Sequence, residues 1–180
     1  HNFITMIVGK PLTLLGGSLI GTLIAVLIVQ LFWSMGLHGA SIVGSVMAPI
    51  WLTMMDENRL AFQMGEELPN IINSSFIFLV SRVGGSGLTL SLAFFMAFFA
   101  KSKQLKEIGK MSLGPGIFNI NEPIVFGTPL VMNPLLMIPF ILAPLVSTTT
   151  IYLGMKFGLF AIPTGISVPW TLPAPIYGYL

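Results

Sequence analysis

Residues 114–127 read Gly-Pro-Gly-Ile-Phe-Asn-Ile-Asn-Glu-Pro-Ile-Val-Phe-Gly, and this stretch decides what kind of fold the chain can adopt. Its one charged residue is Glu122, which is also the only charge between Lys110 and Lys156. The prolines and glycines follow too closely for one straight helix, because an interior proline removes a backbone hydrogen bond and clashes with the preceding turn. The stretch therefore predicts two short half-helices that meet inside an apolar environment.

The composition of the whole chain indicates that this environment is a membrane. Of its 180 residues, 54% are apolar and 8% are charged, and the mean hydropathy is +0.92. A soluble globular domain carries about 25% charged residues, whereas a disordered chain combines low hydrophobicity with high charge. Both classes are excluded. We predict an all-α membrane protein with transmembrane helices and two re-entrant hairpins of broken helix.

The charges and the lack of cysteine limit the possible chemistry. Eight Lys and Arg against six Asp and Glu give a net charge of +2, and such scattered cations do not predict a nucleic-acid partner. Without cysteine, any thiol chemistry in the function has to come from another protein. One histidine away from the terminus cannot supply the ligands of a typical zinc site, so we predict no metal and no cofactor.

The two ends of the chain look cut. It begins with His1 rather than methionine and closes on residues 177–180 without a polar tail. At about 100–200 residues per domain, the length predicts one domain over residues 1–180. We expect this domain to be the substrate-binding piece of a longer membrane protein.

Uncharged stretches outline the first predicted crossing. No charge occurs from Pro11 to Met55, which is enough for one crossing of about 20 residues and something more. Residues 12–35 predict a transmembrane helix, and the apolar residues 36–51, rich in Gly and Ser, predict a re-entrant hairpin. The charged stretch 56–69 is expected at or outside an interface.

The second half alternates breaks with apolar runs. Glycine-rich residues 84–87 break the chain before residues 88–100, which predict a short Phe-rich crossing. Lysines cluster in Lys101–Lys110, and this loop is expected in the cytoplasm by the positive-inside rule. Residues 135–152 predict a further crossing, and the proline-rich residues 158–180 predict an irregular, partly re-entrant segment.

Glu122 is the leading candidate for a functional residue. A carboxylate in a long uncharged segment costs several kcal/mol on insertion scales (about 3), so it should face a cavity or a partner. Asn119 and Asn121 add amide donors and acceptors beside it, and Phe118 and Phe126 add aromatic surface. This combination suits a ligand with many hydroxyl groups. The alternative is a structural glutamate satisfied by the backbone N–H groups of the broken helix.

His38 is the second candidate, since it lies in a Gly-flanked apolar stretch. It could recognise a hydroxyl group or handle a proton near neutral pH. The alternative is a core histidine bonded to a backbone carbonyl.

Four further side chains could either contact a ligand or an ionic partner or lie at the membrane interface. Arg82 could pair with Glu122 or meet a phosphate by bidentate geometry, or it could extend to the membrane interface. Trp33, Trp51 and Trp170 could stack on a sugar ring or belong to the interfacial aromatic belt.

Two of these segments resemble a known family. Residues 114–127 resemble the signature hairpin of enzyme IIC, the membrane permease of the bacterial phosphoenolpyruvate-dependent sugar phosphotransferase system. The group they resemble most is the lactose/cellobiose/diacetylchitobiose group. Leu37-His38-Gly39-Ala40 resembles the other polar hairpin of that group, and the order of elements agrees over nearly the whole chain.

The resemblance implies a sugar-binding function. Such permeases bind a saccharide, often a β-linked disaccharide, at mid-membrane and move it inward while a phosphocysteine of the IIB partner phosphorylates a sugar hydroxyl. It implies that Glu122 and His38 hold that hydroxyl and that Asn119 and Asn121 shape the pocket. The remaining sugar-binding candidates are Gly39, Arg82, Trp33 and Trp170.

The resemblance also implies an assembly and a location. Family members are homodimers in the bacterial plasma membrane, cross it several times and lie within its lipid bilayer. The amino-terminal helices that form the dimer contact in these proteins, and a last transmembrane helix, are expected to lie outside this sequence. An ion-coupled secondary sugar transporter, with Glu122 as the coupling site, is the alternative function, and a scaffold that only binds partner helices is another.

Overall fold

The computed structural model describes residues 10–81 and 83–179 of the protein. Across these residues it contains helices and no strand, as the predicted all-α class requires. The helices are α1 (Lys10–Gly16), α2 (Leu19–Ser34), α3 (Gly39–Met64), α4 (Ser74–Ser81), α5 (Leu90–Phe99), α6 (Lys103–Ile117), α7 (Glu122–Gly127), α8 (Pro134–Lys156) and α9 (Ala174–Tyr177), with a 3₁₀ turn at Ser86–Leu88.

Residues 12–35, predicted as one crossing, form two helices, α1 and α2, which meet at a short break. Ser18 begins α2, and its hydroxyl accepts a hydrogen bond from the backbone N–H of Gly21 at 3.1 Å. This bond satisfies one of the N–H groups that a helix start leaves free. The α2 helix is apolar along its whole length except for a few small polar residues and Gln30.

The prediction of a re-entrant hairpin over residues 36–51 is wrong. Residues 39–64 form one continuous helix, α3, with Pro49 in its interior, and the helix continues through the charged residues from position 56 onward. The glycines and serines that indicated a hairpin are small residues that let helices approach closely. At Gly39, for example, a Cβ would overlap the backbone carbonyl of Val29 in α2.

The break predicted over residues 84–87 is confirmed. Gly84, Gly85 and Gly87 all have positive φ, between 74° and 86°, a region that glycine occupies without strain. The chain turns there from α4 into the 3₁₀ turn and then α5. The α5 and α6 helices pack against each other as a hairpin, with Lys101 at its tip.

The predicted interruption of residues 114–127 is also confirmed. The α6 helix contains Pro115 and ends at Ile117, and α7 begins at Glu122. Between them, Asn119 adopts the left-handed conformation with φ of 66°. The chain therefore has four residues of irregular backbone just before its one acid in this region.

The α8 helix supplies the clearest membrane span. It is the one helix within the described residues that is both long enough and apolar enough to cross a bilayer, and it matches the crossing predicted over 135–152. It packs against α2, α4 and the 3₁₀ turn, and Phe140 of α8 lies against Gly87. The tail after α8 is irregular, as predicted, apart from the single turn of α9.

Candidate functional site

The largest of the described cavities lies where the chain breaks converge. Its volume is about 500 Å³, within the range of about 300–1,000 Å³ that small-molecule sites occupy. We call it the chamber. The residues that line it are Trp33, His38, Ala40, Ser41, Phe78, Gly85, Ser86, Asn119, Asn121, Glu122 and Trp170.

His38 reaches the chamber from the start of α3. It is the N-cap residue of that helix, and its ring Nδ1 accepts the backbone N–H of Ser41 at 3.2 Å. A backbone N–H can only donate, so Nδ1 carries no proton in this arrangement and the ring proton is on Nε2. The Ser41 hydroxyl, 2.8 Å from Nδ1, then donates to the same nitrogen. Capping thus aims an N–H donor from Nε2 into the chamber.

Glu122 reaches the chamber from the start of α7. It is the first residue of this helix, directly after the irregular backbone, where a negative charge is favourable. Its side chain is 45% exposed, but Oε2 is buried and has no hydrogen-bond partner among the described residues. The carboxylate therefore presents Oε1 to the chamber and keeps Oε2 against the protein.

The two side chains face each other across a gap of useful size. His38 Nε2 lies 3.8 Å from Glu122 Oε1, too far for a direct hydrogen bond. An oxygen atom placed between them could lie about 2.8 Å from both. A hydroxyl group there would accept from the imidazole N–H and donate to the carboxylate, so the pair is arranged to hold one hydroxyl.

Asn121 is buried, lines the chamber and directly precedes Glu122 in the chain. Its Nδ2 donates to the Ser86 carbonyl at 2.6 Å, which ties the 118–121 break to the 84–87 break. The contact is close, because a Cβ on Gly85 would overlap the Asn121 side chain. The glycine at position 85 therefore permits both the positive φ and the approach of the two breaks.

Asn119 joins three segments with one amide. Its Oδ1 accepts the N–H of Gly84 at 3.1 Å, and its Nδ2 donates to the carbonyls of Trp170 at 2.7 Å and Leu172 at 2.9 Å. Both of its amide hydrogens are thus used within the chain. This residue fixes the shape of the chamber and has no donor left for a ligand.

The tryptophans divide into two kinds. Trp33 is 1% exposed and lines the chamber, with its ring 4.4 Å from that of His38 and 6.0 Å from that of Phe126. Trp170 also lines the chamber and is exposed. Trp51, in contrast, lies in the core formed with α4 and donates from its indole nitrogen to the Gly16 carbonyl, away from the chamber.

Of the two other predicted site residues, the described part of the chain contains Gly39, which does not line the chamber. Gly39 lies at the contact of α2 and α3 and has a packing role. Arg82 lies outside the described residues. Sequence reasoning did not single out Ser41, Phe78, Gly85 and Ser86, although the glycine-rich break at 84–87 was the signal that could have identified the last two.

The described residues offer no donor set for a metal ion. Among residues 10–81 and 83–179, no group of three or more His, Asp or Glu side chains is close enough to hold one. The residues with polar side chains that line the chamber, apart from the tryptophans, are His38, Glu122, Asn119, Asn121, Ser41 and Ser86.

Known proteins share this sequence and fold. The family model described as "Phosphotransferase system, EIIC" matches residues 2–144. The lichenan permease IIC component of Bacillus subtilis (strain 168) is 56% identical over the whole chain, which covers 40% of that protein. The cellobiose-specific EIIC component of the phosphotransferase system of Geobacillus stearothermophilus is 57% identical, again over the whole chain and 40% of its own length.

A solved structure agrees with the sequence relatives. The crystal structure of the transporter ChbC, the IIC component of the N,N'-diacetylchitobiose-specific phosphotransferase system, has a TM-score of 0.94 and 52% identity. It matches all of this chain, which covers 42% of that structure. The chain thus spans about two fifths of the length of these relatives. None of these relatives is named an ion-coupled transporter, and the chain belongs to the EIIC family of the phosphotransferase system.

Proposed function

We propose that this chain forms the sugar-binding part of a permease that takes up a saccharide coupled to its phosphorylation. The observation that carries the proposal is the convergence of His38 and Glu122, from two separate segments, on a chamber of about 500 Å³. The names of the relatives, which include lichenan and cellobiose permease components, support a β-linked disaccharide as the substrate class.

The geometry suggests how a sugar hydroxyl would be held and activated. The hydroxyl would accept a hydrogen bond from Nε2 of His38 and donate one to Oε1 of Glu122, which lie 3.8 Å apart. The sugar oxygen then attacks the phosphorus of the phosphocysteine on a IIB partner, and the bond from phosphorus to sulfur breaks. The cysteine leaves as a thiolate, and Glu122 accepts the proton of the hydroxyl. Phosphoryl transfer depends on positioning and charge stabilisation, so the task of the chamber in this step is to hold the sugar hydroxyl in place.

The remaining lining residues would shape and orient the sugar. Trp170 is exposed and would offer an aromatic face to the sugar ring, whereas the buried Trp33 packs against His38 and would hold the His38 ring in place. Asn121 and Asn119 would act by holding the two chain breaks together, since their amide N–H groups are bonded to backbone carbonyls. Their role in binding is thus through the shape of the chamber.

The lysine cluster supports a proposed orientation of the chain across the membrane. Lys101–Lys110 is proposed to lie in the cytoplasm, where the IIB partner would approach, at the tip of the α5–α6 hairpin and along the start of α6. We further propose that residues 1–180 act as one substrate-binding domain of a longer, multi-pass protein of the bacterial plasma membrane. That protein is proposed to be a homodimer.

A binding experiment on the full-length protein tests the function. Purified in detergent, it should bind cellobiose, lactose or N,N'-diacetylchitobiose in titration calorimetry, and phosphorylated IIB should convert the bound sugar to its phosphate. Absence of binding to all three sugars would contradict the proposal. Uptake that follows an ion gradient and proceeds without phosphorylated IIB would contradict the coupling.

A further inference from the structure

Gln30 in the α2 helix is a buried polar side chain that the sugar site does not use. Gln30 is 0% exposed, and neither its Nε2 nor its Oε1 has a hydrogen-bond partner among the described residues. A primary amide left without partners in an apolar environment is strongly destabilising, and polar side chains within membrane helices usually have a function. Something that the described residues do not supply is therefore expected to bind this amide.

A small cavity beside Gln30 has room for such a group. Its volume is about 30 Å³, and Gln30 and Ser86 are the two residues with polar side chains other than Trp51 that line it. The other lining residues are apolar or glycine. A cavity needs about 10–15 Å³ measured in this way to hold a water molecule, so this one has room for one or two. A sugar ring or an acetamido group would not fit.

Burial limits the occupant further. Because Gln30 is fully enclosed by this chain, neither another segment of a longer protein nor a partner can reach its amide without opening the fold. Water is small enough and offers both a donor and an acceptor, so that one molecule can bond Oε1 or Nε2 and also a second polar group. The Ser86 hydroxyl is such a second group in the same cavity.

The cavity shares a wall with the chamber. Ala40 and Ser86 line both spaces. The Ser86 carbonyl accepts the hydrogen bond from Asn121, and Asn121 directly precedes Glu122. A water behind Ser86 would therefore support the part of the chamber wall on which the carboxylate depends.

We propose that Gln30 binds a structural water that bridges it to Ser86, and that Gln30 is thereby a positioning residue for the chamber. The part of this inference that concerns the sugar rests on the proposed function. The water site itself stands on the buried, unpartnered amide and the cavity alone.

The first test is a structure of the full-length protein at a resolution that shows ordered water. The expected result is density for water within about 3.2 Å of the Gln30 amide and of the Ser86 hydroxyl. An empty cavity would overturn the proposal. So would a Gln30 side chain that turns to bond a protein group directly, with no water between them.

The second test compares substitutions in the full-length protein. Gln30→Met keeps a side chain of similar length without hydrogen bonding, and should weaken the binding of cellobiose about three- to tenfold, the effect of about one hydrogen bond. Gln30→Asn keeps the amide and leaves room for water, so its affinity should lie closer to that of the wild type. Thr148→Val is the control, because Thr148 is also fully buried and its hydroxyl is unpartnered among the described residues, but it lines neither the cavity beside Gln30 nor the chamber.

The outcomes separate this inference from the proposed function. If the wild type binds none of cellobiose, lactose and N,N'-diacetylchitobiose, the proposed function fails, while water at Gln30 still supports the site. If the wild type binds cellobiose and folded Gln30→Met binds it equally well, the positioning role is overturned. Equal losses in Gln30→Asn and Gln30→Met would also overturn it, because the amide would then not matter.

Discussion

Nε2 of His38 lies 3.8 Å from Oε1 of Glu122, and each of the two residues stands at the start of a helix. His38 caps α3 through Nδ1, and Glu122 opens α7 after a stretch of irregular backbone. The backbone thus sets the position of both groups before any ligand arrives. A gap that is too wide for a direct bond, and wide enough for a shared oxygen, is what a site for one hydroxyl requires.

Glu122→Gln should abolish most of the phosphorylation while the protein stays folded. The amide has nearly the shape of the carboxylate but cannot accept the proton of the hydroxyl, and loss of a general base typically lowers a rate by about 10² to 10⁴-fold. The measurement is the rate of sugar phosphate formation with phosphorylated IIB and the full-length protein. Glu66→Gln is the matched control, because Glu66 is exposed just after the end of α3 and does not line the chamber. Near-normal phosphorylation in Glu122→Gln would exclude the proposed role.

His38→Asn should weaken sugar binding and leave the stability nearly unchanged. Asparagine is a good N-cap residue and can replace Nδ1 as the acceptor for Ser41, but it lacks the N–H that points toward Glu122. We expect the affinity to fall about two- to tenfold, as for one lost hydrogen bond. His38→Ala should show the same loss of affinity and, in addition, a loss of stability of about 1 kcal/mol from the missing cap. Calorimetry and thermal unfolding in detergent separate the two effects.

The sequence was sufficient to predict the chain breaks and to identify Glu122 as a candidate site residue. It did not predict the long helix that begins after His38. Prolines around Glu122 indicate a break because proline fixes φ and lacks a backbone N–H, and the three glycines at 84–87 indicate one because glycine readily adopts positive φ. Glycine and serine in residues 39–45 look similar in a sequence, yet they lie inside α3. Whether a small residue breaks a helix or lets another helix approach depends on what packs against it, and a single sequence does not contain that contact.

The roles of Asn119 and Gln30 show a second limit. The position of Asn119 beside Glu122 suggested a ligand contact, but its amide is bonded to two carbonyls of the distant tail. Gln30 lies in a uniformly apolar helix and drew no attention, although the structure leaves its amide buried and unpartnered. Both facts depend on contacts between segments that are far apart in the chain. Local patterns cannot reveal them.

Asn119→Gly should destabilise the protein by about 2–3 kcal/mol. Glycine keeps the positive φ of 66° but removes the hydrogen bonds to Gly84, Trp170 and Leu172, each worth about 1 kcal/mol. Asn119→Ala should cost about 1 kcal/mol more, because alanine is also strained in the left-handed region. Thermal unfolding of both variants measures the difference. If Asn119→Gly were as stable as the wild type, the amide would not hold the tail to the two breaks.

Gly85→Ala should close the chamber from its base and reduce sugar binding at least about tenfold. Two effects act together at this position, because φ is +86° and the new methyl group would overlap the Asn121 side chain. Asn121 would have to move away from the Ser86 carbonyl, and Glu122 follows it directly in the chain. Gly114→Ala is the matched control, since it lies in α6 and a Cβ there meets nothing within 4 Å. That variant should bind sugar normally, because Gly114 does not line the chamber. Normal sugar affinity in a folded Gly85→Ala protein would show that the contact between the two breaks does not position the carboxylate.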